Sequence, residues 1–206
     1  MNRYIIPMDC INCEAKICRK RKSCKQESFS PEEISRNYLE DTDHQKTIQA
    51  AAQLVDHGRA GTLSRLEEIT EFILSMGYKK VGLAYCYGME AEAKAVKEYM
   101  ESRIAPVTGI SCSIGALPQS AVNKMSTIKH VACNPIGQAE ELNNAGVDFA
   151  VVMGLCLGHD ILFQKNIRCD FTTLVVKDRK YHHNPMEQIR GRSEEHTSEL
   201  QSRSDL

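Results

Sequence analysis

Two hydrophobic periods follow one another along this chain, and the change between them falls near Gly77. Before Gly77, apolar residues recur at the spacing of amphipathic helices, and serines followed three residues later by glutamate mark helix starts. Residues 1–28 show almost no such period, so they predict a segment without a hydrophobic core of its own. The predicted helices begin after Ser30, near Asp43 and after Ser64.

After Gly77, short apolar runs alternate with helical segments, which is typical of a parallel sheet covered by helices. The sequence therefore predicts an α/β fold. It consists of a five-stranded, mostly parallel sheet with helices on both faces, preceded by helices and a small N-terminal metal knuckle. The commonest order for such strands, 3-2-1-4-5, makes the first strand central. The predicted strands are Val81–Tyr85, Val107–Ser111, 128–132, Phe149–Met153 and 171–176.

Three segments differ in character along the chain. Residues 1–28 form the cysteine-rich knuckle, and residues 29–191 form the α/β domain. From Arg192 the chain reads RSEEHTSELQS, which resembles the translation of a sequencing-library adapter. Residues 192–206 are therefore interpreted as an adapter-derived artefact and are expected to be disordered.

Composition and charge exclude several classes of protein. The net charge of −1 over 206 residues gives no general attraction to nucleic acid or to anionic membranes. The start of the chain lacks the apolar stretch of a signal peptide, and the longest apolar run, 149–157, is too short to cross a bilayer. A cytoplasmic location is expected, where thiols stay reduced. Clustered cysteines there indicate metal ligands or redox groups.

Four of the nine cysteines lie close together near the start, with the spacing C-x2-C-x4-C-x5-C. Such a spacing can bring four sulfurs to one metal ion, and the interleaved lysines and arginines would offset the negative charge of four thiolates. Zinc is the favoured metal, and an iron–sulfur cluster remains open at this site and at the second site described below. The predicted metal ligands are Cys10, Cys13, Cys18 and Cys24.

The same basic run has a second interpretation, because zinc knuckles with interleaved Lys and Arg bind single-stranded nucleic acid. Such binding normally uses aromatic side chains on which bases stack, and residues 8–28 contain none. Nucleic acid is therefore the less favoured partner. The favoured explanation is that the basic residues offset the charge of the metal site and otherwise face solvent.

Four more cysteines, Cys86, Cys112, Cys133 and Cys156, each follow a predicted strand. The carboxyl ends of parallel strands are where open α/β sheets bind ligands. Because strands lie about 4.8 Å apart, four adjacent ends would span about 14 Å, more than one metal ion can bridge. The predicted catalytic group is therefore the central set Cys86, Cys112 and Cys156, with Cys133 and Asn134 as marginal cofactor-binding residues. Cys169 precedes the last strand and should lie at the opposite end of the sheet.

The segment GLCLGHD surrounds Cys156 and ends at the start of a predicted helix. Gly158 permits close backbone approach to a ligand, and the helix start favours a thiolate or another anion. His159 is a candidate metal ligand, general acid or base, and Asp160 a candidate cofactor-binding residue. The alternative is that Asp160 only caps the helix and His159 is a polar loop residue. The pair His182–His183 is interpreted as surface.

Several motifs together resemble a known family. They are the cysteine knuckle, Cys133-Asn134-Pro135-Ile136, GLCLGHD, and the ending Val175-Val176-Lys177-Asp178 with His183-Asn184-Pro185. The family is an uncharacterised prokaryotic one of predicted metal-binding proteins, called domain of unknown function eighteen-forty-seven. The resemblance implies a cytoplasmic metal-binding protein and supplies no reaction.

The favoured function is metal binding, with thiol, iron–sulfur redox or sulfur chemistry in a cysteine-lined crevice at the strand ends. The alternatives are a non-catalytic metal sensor or carrier and a nucleic-acid-binding knuckle. The expected partner is a small molecule, a metal or a redox partner, and no membrane. The sequence leaves open whether the protein is an enzyme.

Overall fold

The structure, a computed structural model, describes residues 9–24, 28–104 and 106–191. The expectation of a disordered tail over 192–206 lies outside these residues, as does the part of the knuckle before Asp9. Contacts divide the chain into two compact units, residues 1–53 and residues 54–206. No helix in the described ranges has both the length and the apolarity needed to span a bilayer.

Helices and strands alternate after residue 80, as the sequence predicts. The α-helices are α1 (Pro31–Glu40), α2 (Thr42–Val55), α3 (Arg65–Met76), α4 (Glu90–Glu101), α5 (Gln119–Val122), α6 (Pro135–Asn144) and α7 (His159–Asn166). The strands are β1 (Val81–Tyr85), β2 (Val107–Ser111), β3 (Phe149–Met153) and β4 (Asp170–Val175). Short 3-10 helices cover Ile17–Lys20, Tyr87–Met89 and Ile114–Ala116.

The predicted helix starts are present in the structure. Ser30 caps α1, because its hydroxyl oxygen accepts a hydrogen bond from the amide of Glu33 over 3.2 Å. Ser64 and Glu67 form a complete capping box at the start of α3, each side chain accepting from the other residue's backbone amide. These bonds satisfy amides that have no partner within the helix, and so they set where each helix begins.

The sheet is entirely parallel and has four strands in the order β2-β1-β3-β4. The prediction of five strands is wrong for the described residues, because 128–132 forms no strand. The other four strands keep the predicted relative order, with β1 in the interior of the sheet. The carboxyl ends of β1, β2 and β3 are therefore neighbours.

The segment 128–132 makes one isolated antiparallel bridge, between Val131 and Pro118. Ile128 and Val131 are 58% and 41% exposed, so a strand here would have buried little apolar surface. Without that burial a strand has little to stabilise it at the edge of a sheet. Residues 113–131 instead form a long connection between β2 and α6, which we call the excursion. The bridge joins Val131, at its end, to Pro118, near its start.

Two hydrophobic clusters cover opposite faces of the sheet, because successive side chains along a strand point to opposite sides. One cluster joins α3 and α4 to alternate residues of the strands, including Leu83 and Val151. The other joins α6 and α7 to the intervening residues, including Ala84 and Val152. Helices therefore cover both faces, as the sequence predicts.

The chain turns at Gly154, directly after β3, where its backbone lies close to the side chain of Met89. Its φ is +65°, a left-handed conformation that favours glycine. A Cβ atom added here would collide with the sulfur of Met89, a buried residue of the loop after β1. Gly158, four residues later, has a φ of +88° and open space around it.

The two glycines allow the packing effect to be separated from the backbone effect. Gly158→Ala should cost about 1–3 kcal/mol from the backbone alone, because a φ of 88° with a ψ of −37° is strained for any residue with a side chain. Gly154→Ala adds the collision with Met89 and should lower the free energy of unfolding by a further 1–3 kcal/mol or so. Urea denaturation of both variants tests this. Equal losses would show that Met89 moves aside freely.

Candidate functional site

Four cysteines lie at or just beyond the carboxyl end of the sheet. Cys86 directly follows β1, Cys112 directly follows β2, and Cys156 lies three residues beyond β3. Cys133 arrives from the end of the excursion, just before α6. Both Cys156 and Cys86 lie near enough to Cys133 to contribute to the rise of its pKa. We call these four residues the thiol group.

The closest contact in the thiol group joins Cys112 and Cys133, whose sulfur atoms lie 3.7 Å apart. The backbone explains this proximity, because the Asn134 amide donates to the Cys112 carbonyl over 2.7 Å. The side chain of Asn134 caps α6 by accepting from Gly137 N over 2.9 Å, and it donates to the Ile114 carbonyl over 3.2 Å. Asn134 thus fixes Cys133 beside Cys112 without contributing a strand.

A buried glutamine connects the elements that carry three of the thiols. Gln138, in α6, is fully buried, and its amide nitrogen donates to the carbonyls of Tyr85 over 3.1 Å and Ile110 over 2.8 Å. These carbonyls belong to the ends of β1 and β2, next to Cys86 and Cys112. Sequence reasoning missed Gln138, since a lone glutamine within a helix gives no functional signal.

Two cations lie against the other two thiols. Lys177 Nζ donates to Cys86 Sγ over 3.4 Å, and Arg179 Nη2 donates to Cys156 Sγ over 3.1 Å. Both follow β4, and so they come from the same end of the sheet as the thiols. Sequence reasoning did not select them, although their position directly after the last strand was a usable signal.

Burial keeps the close pair uncharged. It raises the pKa of the Cys112 thiol to about 12, against the effect of the Tyr87 amide, which donates to Cys112 Sγ over 3.4 Å. The neighbouring Cys133 and Cys86 reinforce the rise. Burial likewise raises the pKa of Cys133, while the positive charge of Arg179 opposes it. At neutral pH the Cys112 thiol therefore carries its proton.

The turn after Cys156 forms the start of α7. The amides of His159 and Asp160 both donate to the Cys156 carbonyl, over 2.9 and 3.1 Å. Asp160 folds back, and its Oδ1 accepts from the amides of Gly158 and Ile161, each over 2.8 Å. Asp160 thus holds the turn in place. His159 is partly buried at the first position of the helix.

The N-terminal cysteines lie before, within and after the short 3-10 helix Ile17–Lys20. Cys18 lies in the 3-10 helix and is exposed, as is Cys10, while Cys13 and Cys24 are partly buried. Across the described residues, no three or more Cys, His, Asp or Glu side chains are already placed to hold one metal ion. The predicted site at Cys10, Cys13, Cys18 and Cys24 therefore stays a prediction.

The remaining singled-out residues lie elsewhere. Cys169 directly precedes β4, at the amino end of the sheet, and burial raises its pKa to about 11. His182 and His183 follow β4 in a turn where both have positive φ, 49° and 66°. The Asp178 amide donates to His183 Nδ1 over 3.0 Å, which leaves the Nε2 nitrogen to carry the proton of a neutral ring.

These features define an α/β protein with a four-stranded parallel sheet and with four cysteines at the carboxyl end of that sheet. The chain belongs to the family described as "Protein of unknown function (DUF1847)", which matches residues 21–174. The matched range contains the whole thiol group but only Cys24 of the N-terminal cysteines.

The chain is also similar to "Uncharacterized protein MJ0455" of Methanocaldococcus jannaschii. The two are 36% identical over 184 residues, which cover 86% of this chain and 91% of that protein. No solved structure matches the chain. The comparisons confirm the predicted family and supply no reaction.

The raised pKa of Cys112 links stability to pH. An unfolded cysteine titrates at a pH of about 8.5, so above that value the unfolded chain loses this proton before the folded chain does. The contribution of Cys112 is thus fully present below about pH 8.5 and is lost as pH rises toward its folded pKa of about 12. Urea denaturation between about pH 8 and pH 10 should show stability falling, with a shallower slope for Cys112→Ser. Met125→Ala replaces an 89% exposed residue that does not ionise, and it should keep the wild-type slope.

Proposed function

We propose that the protein binds a thiophilic metal centre at the carboxyl end of its sheet, with the thiol group as ligands. The observation that carries this proposal is the 3.7 Å separation of the Cys112 and Cys133 sulfurs. Two thiolates bound to one tetrahedral ion with metal–sulfur bonds of about 2.3 Å lie about 3.8 Å apart. The pair therefore already has the spacing of two ligands of one metal.

The charges around the site support the same proposal. Four thiolates around a divalent ion carry a net formal charge of about −2. Lys177 and Arg179, each donating to one sulfur, together supply the opposite charge. A positive charge beside a metal-bound sulfur stabilises the thiolate and reduces the cost of gathering four of them.

The chain's own residues have separate roles in this proposal. Cys112 and Cys133 are the preset pair, and binding would draw in Cys86 and Cys156 to complete the set. Gln138 and Asn134 position the backbones that carry the pair. The thiols must release their protons on binding, so metal affinity should rise with pH. Soft sulfur ligands suit zinc and an iron–sulfur cluster alike.

The N-terminal cysteines form a second, separate proposal. Their spacing favours a zinc site, and the basic residues between them would offset its charge. Assembling such a site would require these side chains to come together on binding, as in small metal knuckles that fold around their ion.

The metal content of cysteine variants tests both proposals. The Cys112→Ser/Cys133→Ser variant, purified without oxygen, should lose the metal of the strand-end site as measured by elemental and acid-labile sulfide analysis. Cys169→Ser is the matched control, since Cys169 lies at the other end of the sheet. It should retain the wild-type content. A double variant that also retains all its metal would refute the strand-end site.

Serine at Cys10, Cys13, Cys18 and Cys24 tests the N-terminal site in the same assay. This quadruple variant should lose about one metal equivalent of its own, independent of the strand-end loss. A wild-type metal content would remove the N-terminal proposal and leave the strand-end one in place.

Lys177 and Arg179 should strengthen zinc binding at the strand-end site without being zinc ligands. Lys177→Met and Arg179→Met should each weaken zinc binding, about two- to fivefold, because each leaves one thiolate without its positive partner. Competition with a chromophoric chelator measures this, and added salt should shrink the difference. Lys94→Met, an exposed lysine in α4, is the control. Equal affinities in all three variants would show that the cations do not act on the site.

A further inference from the structure

We infer that Cys112 and Cys133 are a redox-modification site, forming a reversible disulfide at the base of the excursion between β2 and α6. Their sulfurs lie 3.7 Å apart, and a disulfide bond requires about 2.05 Å. Side-chain rotation with a small backbone shift can close this gap. The disulfide itself does not depend on the proposed metal site.

The backbone around the pair already holds both residues in place. The Cys112 amide donates to the Tyr85 carbonyl over 3.0 Å, and its carbonyl accepts from the Asn134 amide over 2.7 Å. Beyond the pair, the Ala132 amide donates to the Leu117 carbonyl over 2.8 Å. These bonds bring the two ends of the excursion together before any covalent link forms, so ring closure needs little further ordering.

The two thiols differ in access, and this sets the order of events. Cys112 is only 3% exposed, whereas Cys133 is partly exposed. A disulfide reagent from solution therefore reaches Cys133 first. Cys112, already in contact with Cys133, is placed to resolve the mixed disulfide.

The reaction balances with a low-molecular-weight disulfide such as oxidised glutathione as the oxidant. Cys133 first releases its proton to solvent, and its thiolate attacks one sulfur of the reagent, which breaks the reagent's S–S bond and expels one glutathione thiolate. Cys112 then releases its proton to the expelled glutathione thiolate and attacks the Cys133 sulfur, which expels the second glutathione thiolate. The protein loses two protons and two electrons, and the reagent leaves as two molecules of reduced glutathione.

A consequence follows for the proposed function and rests on it. A disulfide between Cys112 and Cys133 removes both members of the preset ligand pair, because only free thiolates bind metal. Oxidation and metal loading of the strand-end site should therefore exclude each other. This would make the site responsive to the thiol–disulfide balance around it.

Peptide mapping after equilibration of the full-length protein in glutathione redox buffers tests the inference. After an acid quench and alkylation, the wild type should show one linked peptide pair containing Cys112 and Cys133, with an intact mass lower by about 2 Da per disulfide. Added reductant should reverse the link. Cys112→Ser should stop at a glutathione adduct on Cys133, and Cys169→Ser should behave as wild type.

Two results would overturn the inference: a stable glutathione adduct on Cys133 of the wild type, or preferential linkage of Cys133 to Cys86 or Cys156. Metal analysis of the same samples separates the two proposals. If the disulfide forms but the Cys112→Ser/Cys133→Ser variant keeps full metal content, the metal proposal fails and the disulfide stands. If the variant loses metal but no disulfide forms, the reverse holds.

Discussion

The arrangement of the cysteines depends on a constraint of topology, the reversal of strand order at β1. The chain moves from β1 to β2 on one side and then crosses back to place β3 on the other side of β1. At such a point the connections leaving the two neighbouring strands diverge to opposite faces and leave a crevice between them. Cys86 follows β1 and Cys156 follows β3, so this strand order places both cysteines after neighbouring strands, at the same end of the sheet.

Most of the fold was predictable because its signals are local. Short apolar runs separated by helical segments identify β1, β2, β3 and β4, and a serine–glutamate pair marks the start of α3. The segment 128–132 misled because its composition resembles a strand while its surroundings offer too little apolar contact. Whether such a run becomes a strand depends on what covers it, and that is a tertiary property absent from the local pattern.

The site was partly predictable, for a similar reason. A cysteine directly after a strand must lie at the strand's end, and this rule locates Cys86 and Cys112 from sequence alone. The same rule predicted Cys133 to be only a marginal site residue, because it took the spacing between strands as the distance between the cysteines that follow them. The hydrogen bond from the Asn134 amide to the Cys112 carbonyl places the two sulfurs 3.7 Å apart, although 128–132 forms no strand. Lys177 and Arg179 were not predicted as site residues, because lysine and arginine on a surface usually carry no functional signal; Lys177 entered only as part of a family motif.

Gln138 has a consequence for how this protein can vary. The two polar atoms of its side-chain amide are in different situations. Nε2 donates to the backbone carbonyls of Tyr85 and Ile110, while Oε1 has no hydrogen-bond partner among the described residues. A glutamate would place a carboxylate next to two carbonyl oxygens, which repel it. A leucine would leave both carbonyls without this hydrogen-bond donor, and the side chain of an asparagine is one methylene too short to reach them. Few other amino acids could therefore replace glutamine at position 138, although its side chain is assigned no chemical step. A survey that ranks residues by reactivity would pass over Gln138, although its amide joins the ends of the two strands that precede Cys86 and Cys112.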